Sequence, residues 1–348
     1  MKSGSPVRSS TSLPHCMPSN DRYEIVIVGA GPMGLATAYH LAHARPGRSV
    51  LVVEALSGPG EGSMGASHSM VRDVFRSADN RRLASASIRS YEHVMESTET
   101  MRGPVPLLDR YGYLWLLSEP QRVEFESLLT DSMGTLDGRL LSLDEVGEIP
   151  GLERAPKRWF EGDAGGTPPA VTAAFFGRHC GALAPEMLAR YYHGEARRLG
   201  VEFAFSTCVR RLSFEGREEI LLHEDTHRPF GFQEHVPDRL KIAQVQFGDG
   251  RSVRADRVVV AAGAWSTQLL DPLGFATACS PRPQSSFSVA GRGVDELLDW
   301  TPRLDPIDLG GGRPRLPFVI LPSGATLKPM FRERRLWLGL VDTTSRPI

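Results

Sequence analysis

Continuous apolar runs mark the two best-defined strands in the early part of the chain. Residues 25–28 (IVIV) and 50–53 (VLVV) are aliphatic at every position, which is typical of strands buried on both faces of a parallel sheet. Between them, residues 35–44 have apolar positions at helical spacing. This order of strand, helix and strand predicts a βαβ unit.

Further along, amphipathic and alternating patterns predict the remaining elements. Gly248-Asp249-Gly250 carries an Asp-Gly turn signal and predicts a hairpin between its flanking strands. The predicted helices span residues 80–101, 121–131, 142–149 and 186–199, and the predicted strands span residues 111–117, 201–205, 208–214, 240–247, 251–254, 257–262, 286–290, 318–321 and 336–341.

The alternation of these patterns predicts an α/β protein with two interleaved domains. A Rossmann-type nucleotide-binding domain is assigned to residues 22–78, 181–215 and 250–275, and a second, sheet-rich α+β domain to residues 79–180 and 280–345. Residues 1–21 form a Ser- and Pro-rich tail without the apolar core of a secretory signal. We expect this tail to be disordered, with organelle targeting as the alternative.

A glycine-rich turn joins the first strand to its helix. Gly29, Gly31 and Gly34 have the spacing G-x-G-x-x-G, and Glu54 follows Gly34 by 20 residues at the end of the second strand. Such glycines permit a tight turn, a close approach of pyrophosphate and close helix packing, while the acid accepts hydrogen bonds from a ribose. The pattern favours FAD or NAD over NADP. The alternative is a βαβ turn that binds nothing.

The charge balance and the cysteine content indicate which partners and which cellular compartment to expect. The 348 residues include 40 basic and 41 acidic ones, so no nucleic acid or anionic surface is predicted as a partner. No apolar run reaches the roughly 18 residues that a membrane span needs. The four cysteines form no C-x-x-C pair, which predicts a cytoplasmic protein without a metal site. The oligomeric state is left open.

Five motifs occur in a fixed order between residues 24 and 342. Together they resemble FAD-dependent oxidoreductases of the D-amino-acid oxidase family, which includes sarcosine oxidase, glycine oxidase and dimethylglycine dehydrogenase. The motifs are the glycine turn with its acid, the small-residue loop 65–68 running to Arg72, Gly112-Tyr113-Leu114, the G-x-x-x-P-x-x-L…A-x-x-x-G-V segment of residues 181–201, and the A-A-G-A-W-S of residues 261–266.

The resemblance implies FAD as the cofactor and assigns it a set of contacts. For Val209 the alternative is ordinary core packing, and for Ala262 and Gly263 it is a tight turn after a buried strand. The implied contacts are Gly29, Gly31, Pro32, Met33 and Gly34 around the pyrophosphate, Glu54 and Ala55 at the AMP ribose, Ser67 and His68 beside the isoalloxazine, Val209 at the adenine, and Ala262, Gly263 and Trp265 over the ribityl–pyrophosphate region.

The same resemblance implies oxidation of the C–N bond of an amino acid or N-methylated amine to an imine. A substrate carboxylate needs a cation, best the fork of an arginine. Arg72 is the first candidate and Arg76 the second, with surface or inter-domain ion pairs as the alternative for both. His68 is either a proton carrier or a packing residue. Lys328 binds carboxylate, assists oxygen reduction or is merely exposed.

Two departures from the family pattern complicate this expectation. Where sarcosine oxidase carries a lysine used for oxygen activation, the similar strand here has Trp337, which favours a dehydrogenase. The family's C-terminal glycine-rich segment and flavin-facing helix are not found, which suggests a truncated or divergent member. The alternative function is therefore a catalytically weak or inactive flavin-binding protein that acts as an assembly or partner-binding factor. An NAD-dependent dehydrogenase is a third possibility, for which the sequence shows no nicotinamide-binding motif.

Overall fold

The protein is described here from a computed structural model that covers residues 18–98, 106–132, 134–154, 169–214, 242–275, 280–281, 285–301 and 315–339. The chain divides into two compact units. Unit 1 consists of Met1–Ser67 and Pro185–Pro281, and unit 2 consists of His68–Ala184 and Arg282–Ile348. The two domains predicted from the sequence have their limits at residues 78 and 180. That domain assignment remains a prediction, separate from the two compact units.

The described residues form helices and strands in alternating order. The helices are α1 (Pro32–Ala44), α2 (Ala78–Ser97), α3 (Glu119–Asp131), α4 (Leu143–Val146), α5 (Pro185–Arg198), α6 (Ser266–Leu270) and α7 (Arg292–Leu298). The strands are β1 (Arg22–Val28), β2 (Val50–Val53), β3 (Met70–Val71), β4 (Leu108–Arg110), β5 (Tyr113–Leu117), β6 (Gly138–Leu141), β7 (Ala173–Gly177), β8 (Gly181–Leu183), β9 (Glu202–Ala204), β10 (Val209–Phe214), β11 (Ile242–Phe247), β12 (Ser252–Val260), β13 (Ser286–Val289), β14 (Phe318–Ile320), β15 (Thr326–Met330) and β16 (Arg335–Gly339).

Unit 1 is built on a six-stranded sheet in the order β10-β11-β12-β1-β2-β9. Strands β12, β1, β2 and β9 pair in parallel, and Val26 of β1 lies between Leu51 of β2 and Val258 of β12. Val26 and Leu51 are fully buried, as the continuous apolar runs predict. Helices α1 and α5 pack against each other through Tyr39 and Tyr192, whose ring centroids are 5.4 Å apart. This architecture confirms the predicted α/β fold class.

The hairpin of unit 1 differs in one respect from the prediction. Strands β11 and β12 pair in antiparallel fashion on either side of the turn at residues 248–250, as expected. However, the two strands predicted at residues 251–254 and 257–262 are one continuous strand, β12. Its first residues pair with β11, and the residues from Arg254 onward pair with β1. A single strand therefore joins the hairpin to the parallel part of the sheet. Residues 240 and 241 of the predicted hairpin lie outside the described residues.

Unit 2 contains a seven-stranded sheet in the order β13-β16-β15-β14-β5-β7-β6 and a three-stranded sheet in the order β3-β8-β4. In the larger sheet, β14 and β5 are parallel and the other pairs are antiparallel. Leu114 and Phe175 at its centre are fully buried. The edge strand β13 pairs with β16, which pairs with β15, and these three strands carry the candidate residues discussed below.

Three helices of unit 2 begin at serine N-caps. Ser77 accepts a hydrogen bond from the backbone N–H of Asn80 and starts α2. Ser118 with Gln121, and Ser142 with Glu145, form capping boxes at α3 and α4. The predicted helix 80–101 corresponds to α2, which ends at Ser97, and its last residues lie outside the described part of the chain. The predicted helix 142–149 is only the single turn α4.

Candidate functional site

The glycine turn of unit 1 depends on close backbone packing. Gly29 has a φ of +109°, which side chains rarely adopt, and a Cβ there would overlap the carbonyl oxygen of Ala261. A Cβ on Gly34 would overlap the carbonyl oxygen of Gly29. These two glycines are therefore required by the fold itself, because α1 starts directly against the end of β1.

Gly31 is different because no described residue fills the space beside it. A Cβ added there meets no atom within 4 Å, and Gly31 is the N-cap of α1 without a side-chain cap. The first N–H groups of α1 therefore have no partner within the helix. Pro32 and Met33 extend this surface, and Met33 is 71% exposed. The arrangement fits a pyrophosphate held by backbone N–H groups and the positive end of a helix.

Glu54 follows β2 and lies against the same turn. Its Oε2 accepts a hydrogen bond from the Ala30 N–H at 2.7 Å, and its Oε1 accepts one from the Leu56 N–H at 2.9 Å. An ionised carboxylate has about four acceptor positions, so two remain for ribose hydroxyls. Ala55, the next residue, is exposed. The acid is thus held in one orientation, and its ribose contact remains a proposal.

The end of β12 meets the same turn from the neighbouring strand. The Ala261 N–H donates to the Val28 carbonyl at 2.8 Å, and the chain then enters a short 3-10 helix, Gly263–Trp265. Gly263 has a φ of +57°, and no atom lies within 4 Å of a Cβ placed there. Trp265 is 53% exposed, which is unusual for so large an apolar side chain. The structure therefore places Ala261 and Ala262 next to Gly29, and Gly263 directly follows them.

Val209 and Ser67 are the remaining candidates in unit 1. Val209 starts β10, pairs with Phe247 and packs against the core of the sheet, so its side chain has a structural role. The preceding loop reaches the glycine turn through the Thr207 N–H, which donates to the Glu54 carbonyl at 2.9 Å. Ser67 is exposed, and its hydroxyl donates to the Met64 carbonyl at 3.0 Å. Their cofactor contacts remain predictions.

In unit 2, the structure brings His68 and Lys328 together. The Lys328 Nζ donates to the His68 carbonyl oxygen at 2.6 Å and lies 5.4 Å from the ring centroid of Trp337. Lys328 on β15 is directly opposite Trp337 on β16. The structure thus places an ammonium beside Trp337 from the adjacent strand.

The His68 ring is half-buried between aromatic side chains. Its centroid is 5.7 Å from that of Trp337 and 6.4 Å from that of Phe318. Burial and the nearby ammonium of Lys328 both lower the pKa of His68 below its usual range. His68 is therefore neutral around pH 7, which is the form that accepts a proton.

Arg72 and Arg76 have different surroundings. The Arg72 guanidinium lies over the rings of Phe75 and Trp115, at 4.9 Å and 6.0 Å from their centroids. Among the described residues, no carboxylate forms an ion pair with it. Arg76 is 73% exposed and is paired with Glu124. The structure therefore identifies Arg72, rather than Arg76, as the arginine with unused hydrogen-bonding capacity.

A carboxylate that the sequence analysis missed follows Arg72 directly. Asp73 is only 7% exposed, and its Oδ2 lies 3.5 Å from Nδ1 of His179. The Nε2 of His179 lies 3.1 Å from Asp137. Burial raises the pKa of Asp73, although His179 opposes this effect. No motif contains these residues. The pairing of β3 with β8 brings Asp73 near His179, and the pairing of β6 with β7 brings Asp137 there.

The part of the chain that the structure describes holds neither a candidate metal cluster nor a candidate membrane span. No group of three or more His, Cys, Asp or Glu side chains in this part of the chain is arranged to hold a metal ion. No helix there has the length and apolar character needed to cross a bilayer. Cys180 and Cys208 are free thiols, and Cys16 and Cys279 fall outside the described ranges.

Comparison with known families identifies the class of protein. Residues 24–342 match the DAO family, described as FAD dependent oxidoreductase. The chain belongs to this family, and its cofactor is FAD. The glycine turn, the uncapped start of α1 and Glu54 fit that cofactor.

Several solved structures share the fold at low sequence identity. Glycine oxidase from Geobacillus kaustophilus aligns with a TM-score of 0.63 and 19% identity, covering 94% of this chain and 72% of that one. L-proline dehydrogenase from P. horikoshii gives 0.63 and 20%, covering 92% and 70%. L-amino acid deaminase from Proteus myxofaciens, in complex with anthranilate, gives 0.61 and 18%, covering 95% and 61%.

Among curated proteins, one similarity is local. Thiamine thiazole synthase from Emericella nidulans is 52% identical over 46 residues, which are 12% of this chain and 14% of that protein. The match spans far less than two thirds of that relative, so it adds no functional information.

Proposed function

We propose that this chain uses FAD to oxidise the C–N bond of an amino acid or an N-methylated amino acid, giving an imine that water hydrolyses. Family membership supports the oxidoreductase class. The names of three structures with the same fold, glycine oxidase, L-proline dehydrogenase and L-amino acid deaminase, support an amino acid as the substrate. FAD, when bound, supplies the two-electron acceptor for the substrate C–H bond.

The observation that carries the proposal is the unpaired guanidinium of Arg72. It is half-buried, stacked on Phe75 and Trp115, and has no carboxylate partner among the described residues. A guanidinium held by stacking keeps its N–H fork available, and two parallel N–H donors match a carboxylate. Arg72 would bind the substrate carboxylate in this way and orient the amine.

His68 would act as the proton acceptor for that amine. An amino acid is an ammonium at neutral pH and must lose one proton before its C–N bond can be oxidised. His68 is neutral because burial and Lys328 lower its pKa. The proton would move from the ammonium nitrogen to the imidazole, which then carries a positive charge, and would afterwards pass to water because Lys328 disfavours that charge.

Lys328 would hold the backbone of His68 and contribute positive charge to this part of unit 2. Its ammonium is shared between the His68 carbonyl and the face of Trp337. Since position 337 has no ammonium of its own, use of oxygen as the electron acceptor would depend on Lys328. A dehydrogenase that passes electrons to another acceptor remains the competing possibility.

An absorbance experiment tests the proposal. The FAD-loaded protein is mixed anaerobically with amino acids, their N-methyl derivatives and the corresponding decarboxylated amines. We expect the flavin bands to bleach with carboxylate-bearing compounds and to persist with the decarboxylated amines. Flavin that no amino acid bleaches would contradict the proposed activity and favour a non-catalytic flavin-binding protein.

A further inference from the structure

A serine at the edge of the large sheet of unit 2 contacts the imidazole of His68. The Ser286 Oγ lies 3.0 Å from Nε2 of His68, although 218 residues separate them in sequence. Ser286 is the first residue of β13 and belongs to none of the motifs found in the sequence. Its side chain is exposed, so its own hydroxyl hydrogen can bond to water.

The surrounding strands leave the His68 ring one well-defined position. A Cβ on Gly339 of β16 would come within 2.8 Å of Cε1 of His68, so a larger residue there would displace the ring. Phe318 and Trp337 flank the ring, and Lys328 fixes its backbone carbonyl. Ser286 is the partner that the described residues supply to a ring nitrogen.

We propose that Ser286 is a positioning residue that accepts a hydrogen bond from Nε2–H of His68, so that the proton-accepting lone pair lies on Nδ1. This inference rests on the proposed role of His68. A neutral imidazole has one N–H donor and one acceptor nitrogen. No described residue bonds to Nδ1, so a proton on Nδ1 would leave a half-buried donor without a protein acceptor.

The opposite arrangement, with the hydroxyl donating to Nε2, would leave His68 without a free acceptor nitrogen. In the proposed arrangement, Nδ1 takes the proton of the substrate ammonium and both ring nitrogens then carry hydrogen. Among the described residues, the charged group that affects the ring is Lys328 on β15, while Ser286 and Thr326 are polar and uncharged. The Ser286 oxygen therefore supports both protonation states and also fixes the direction in which the ring accepts a proton.

Nuclear magnetic resonance of the full-length protein with FAD and ¹⁵N-labelled histidine tests this directly. The His68 signals are assigned by their loss in His68→Gln. We expect the wild type to show the tautomer protonated at Nε2. In Ser286→Ala we expect a mixture of tautomers and a titration midpoint below that of the wild type, because the imidazolium loses the acceptor of its Nε2–H.

Two further variants make the test specific. Ser286→Thr keeps the hydroxyl and should restore the wild-type tautomer and midpoint. Ser288→Ala removes a hydroxyl on the same strand that accepts from Arg335 Nε at 2.7 Å, and should leave His68 unchanged. A wild type protonated at Nδ1, or a Ser286→Ala protein with unaltered His68 signals, would overturn the inference.

A kinetic readout separates the failure of this inference from failure of the proposed function. With a compound that bleaches the flavin, Ser286→Ala should slow anaerobic reduction roughly tenfold, which is less than the 10²–10⁴ that a general base as a whole contributes, and should shift its pH profile together with the His68 midpoint. If no compound reduces the flavin, the proposed function fails. The tautomer result still decides the role of Ser286.

Discussion

The ammonium of Lys328 donates a hydrogen bond to the backbone carbonyl of His68 at 2.6 Å, joining β15 to the segment that precedes β3. The bond goes to the backbone and not to the ring, so the imidazole remains available while the positive charge stays close to it. A neutral His68 beside a charged Lys328 is the relationship from which the proposed proton transfer follows.

Removing this charge should raise the pKa of His68. In Lys328→Met the long side chain is retained but the positive charge that disfavours imidazolium is lost, so the midpoint of the His68 titration should move to higher pH. Arg335→Met removes a charge on the adjacent strand that donates a hydrogen bond to Ser288, and serves as the control. A midpoint that stays constant or falls in Lys328→Met would show that Lys328 does not set the protonation of His68.

The two kinds of glycine in the glycine turn should respond differently to substitution by alanine. Gly34→Ala should destabilise the protein without cofactor by about 1–3 kcal/mol or more, because its Cβ would overlap the Gly29 carbonyl. Gly31→Ala should leave that stability nearly unchanged but weaken FAD binding, because its Cβ would enter the open space in which we propose that the pyrophosphate binds. Thermal unfolding and FAD titration measure the two effects.

Gly194, which lies in α5 with no atom near its Cβ, provides the matched control. Gly194→Ala should stabilise the protein by about 0.5–1 kcal/mol through helix propensity alone. If Gly31→Ala bound FAD as tightly as the wild type, the pyrophosphate would not lie at the start of α1.

Glu54 should matter for both the turn and the cofactor. Glu54→Gln replaces one acceptor oxygen by an amide donor, so either the Ala30 or the Leu56 N–H loses its partner. The substitution would also remove the charge that we propose accepts a hydrogen bond from the ribose. Because a hydrogen bond to a charged group contributes about 1.5–3 kcal/mol, we expect FAD affinity to fall roughly tenfold to a hundredfold. Glu61→Gln, which alters a carboxylate bonded to Ser57, is the control. Equal losses in both variants would argue against a ribose contact.

Arg72 and Arg76 allow a direct comparison of two neighbouring arginines. Arg72→Lys keeps the charge but loses the fork, so the substrate concentration for half-maximal anaerobic flavin reduction should rise about tenfold or more. Arg76→Lys should change it little, because Arg76 is exposed and paired with Glu124. A larger effect at Arg76 would reverse the assignment.

Asp73 should make stability depend on pH. Burial raises its folded-state pKa above the ordinary value of 3.8, so the folded protein binds this proton more tightly than the unfolded chain. The stability that Asp73 contributes below 3.8 is therefore lost as the pH rises through its folded-state pKa. The free energy of unfolding of the wild type, relative to Asp73→Asn, should fall across that window.

Denaturant unfolding at several pH values between 4 and 7 measures this difference. Asp79→Asn, which removes a carboxylate that is 85% exposed, controls for the change in net charge. A difference that grows with rising pH would mean that pairing with His179 outweighs the burial of Asp73.

The elements predicted most accurately from sequence are those that carry their own local signal. The apolar runs of β1 and β2 and the Asp-Gly turn before β12 are examples, because burial on both faces and turn geometry leave a pattern in the residues themselves. β7 was missed because its sequence, AAFFG, lies beside an irregular Gly- and Pro-rich segment and has no alternation. β15 was missed because Pro329 interrupts its pattern.

The candidate residues that could be identified from sequence are likewise those with a local signal. Gly29, Gly31, Gly34 and Glu54 could be identified from spacing, since a dinucleotide turn is a local structure. The contact between His68 and Ser286 could not, because it depends on the order of strands β13, β16 and β15 in one sheet. The contrast between Arg72 and Arg76 likewise required the position of Glu124 on α3.

The most direct test of C–N oxidation compares two compounds that differ only in whether the α-carbon carries an amino or a hydroxyl group. Anaerobic spectra of the FAD-loaded protein are recorded with an amino acid from the panel that bleaches the flavin, or with each amino acid of the panel in turn. Each amino acid is compared with the 2-hydroxy acid of the same carbon skeleton. We predict that the flavin bands bleach with the amino acid and persist with the hydroxy acid. Bleaching by the hydroxy acid, or by neither compound across the panel, would contradict the account.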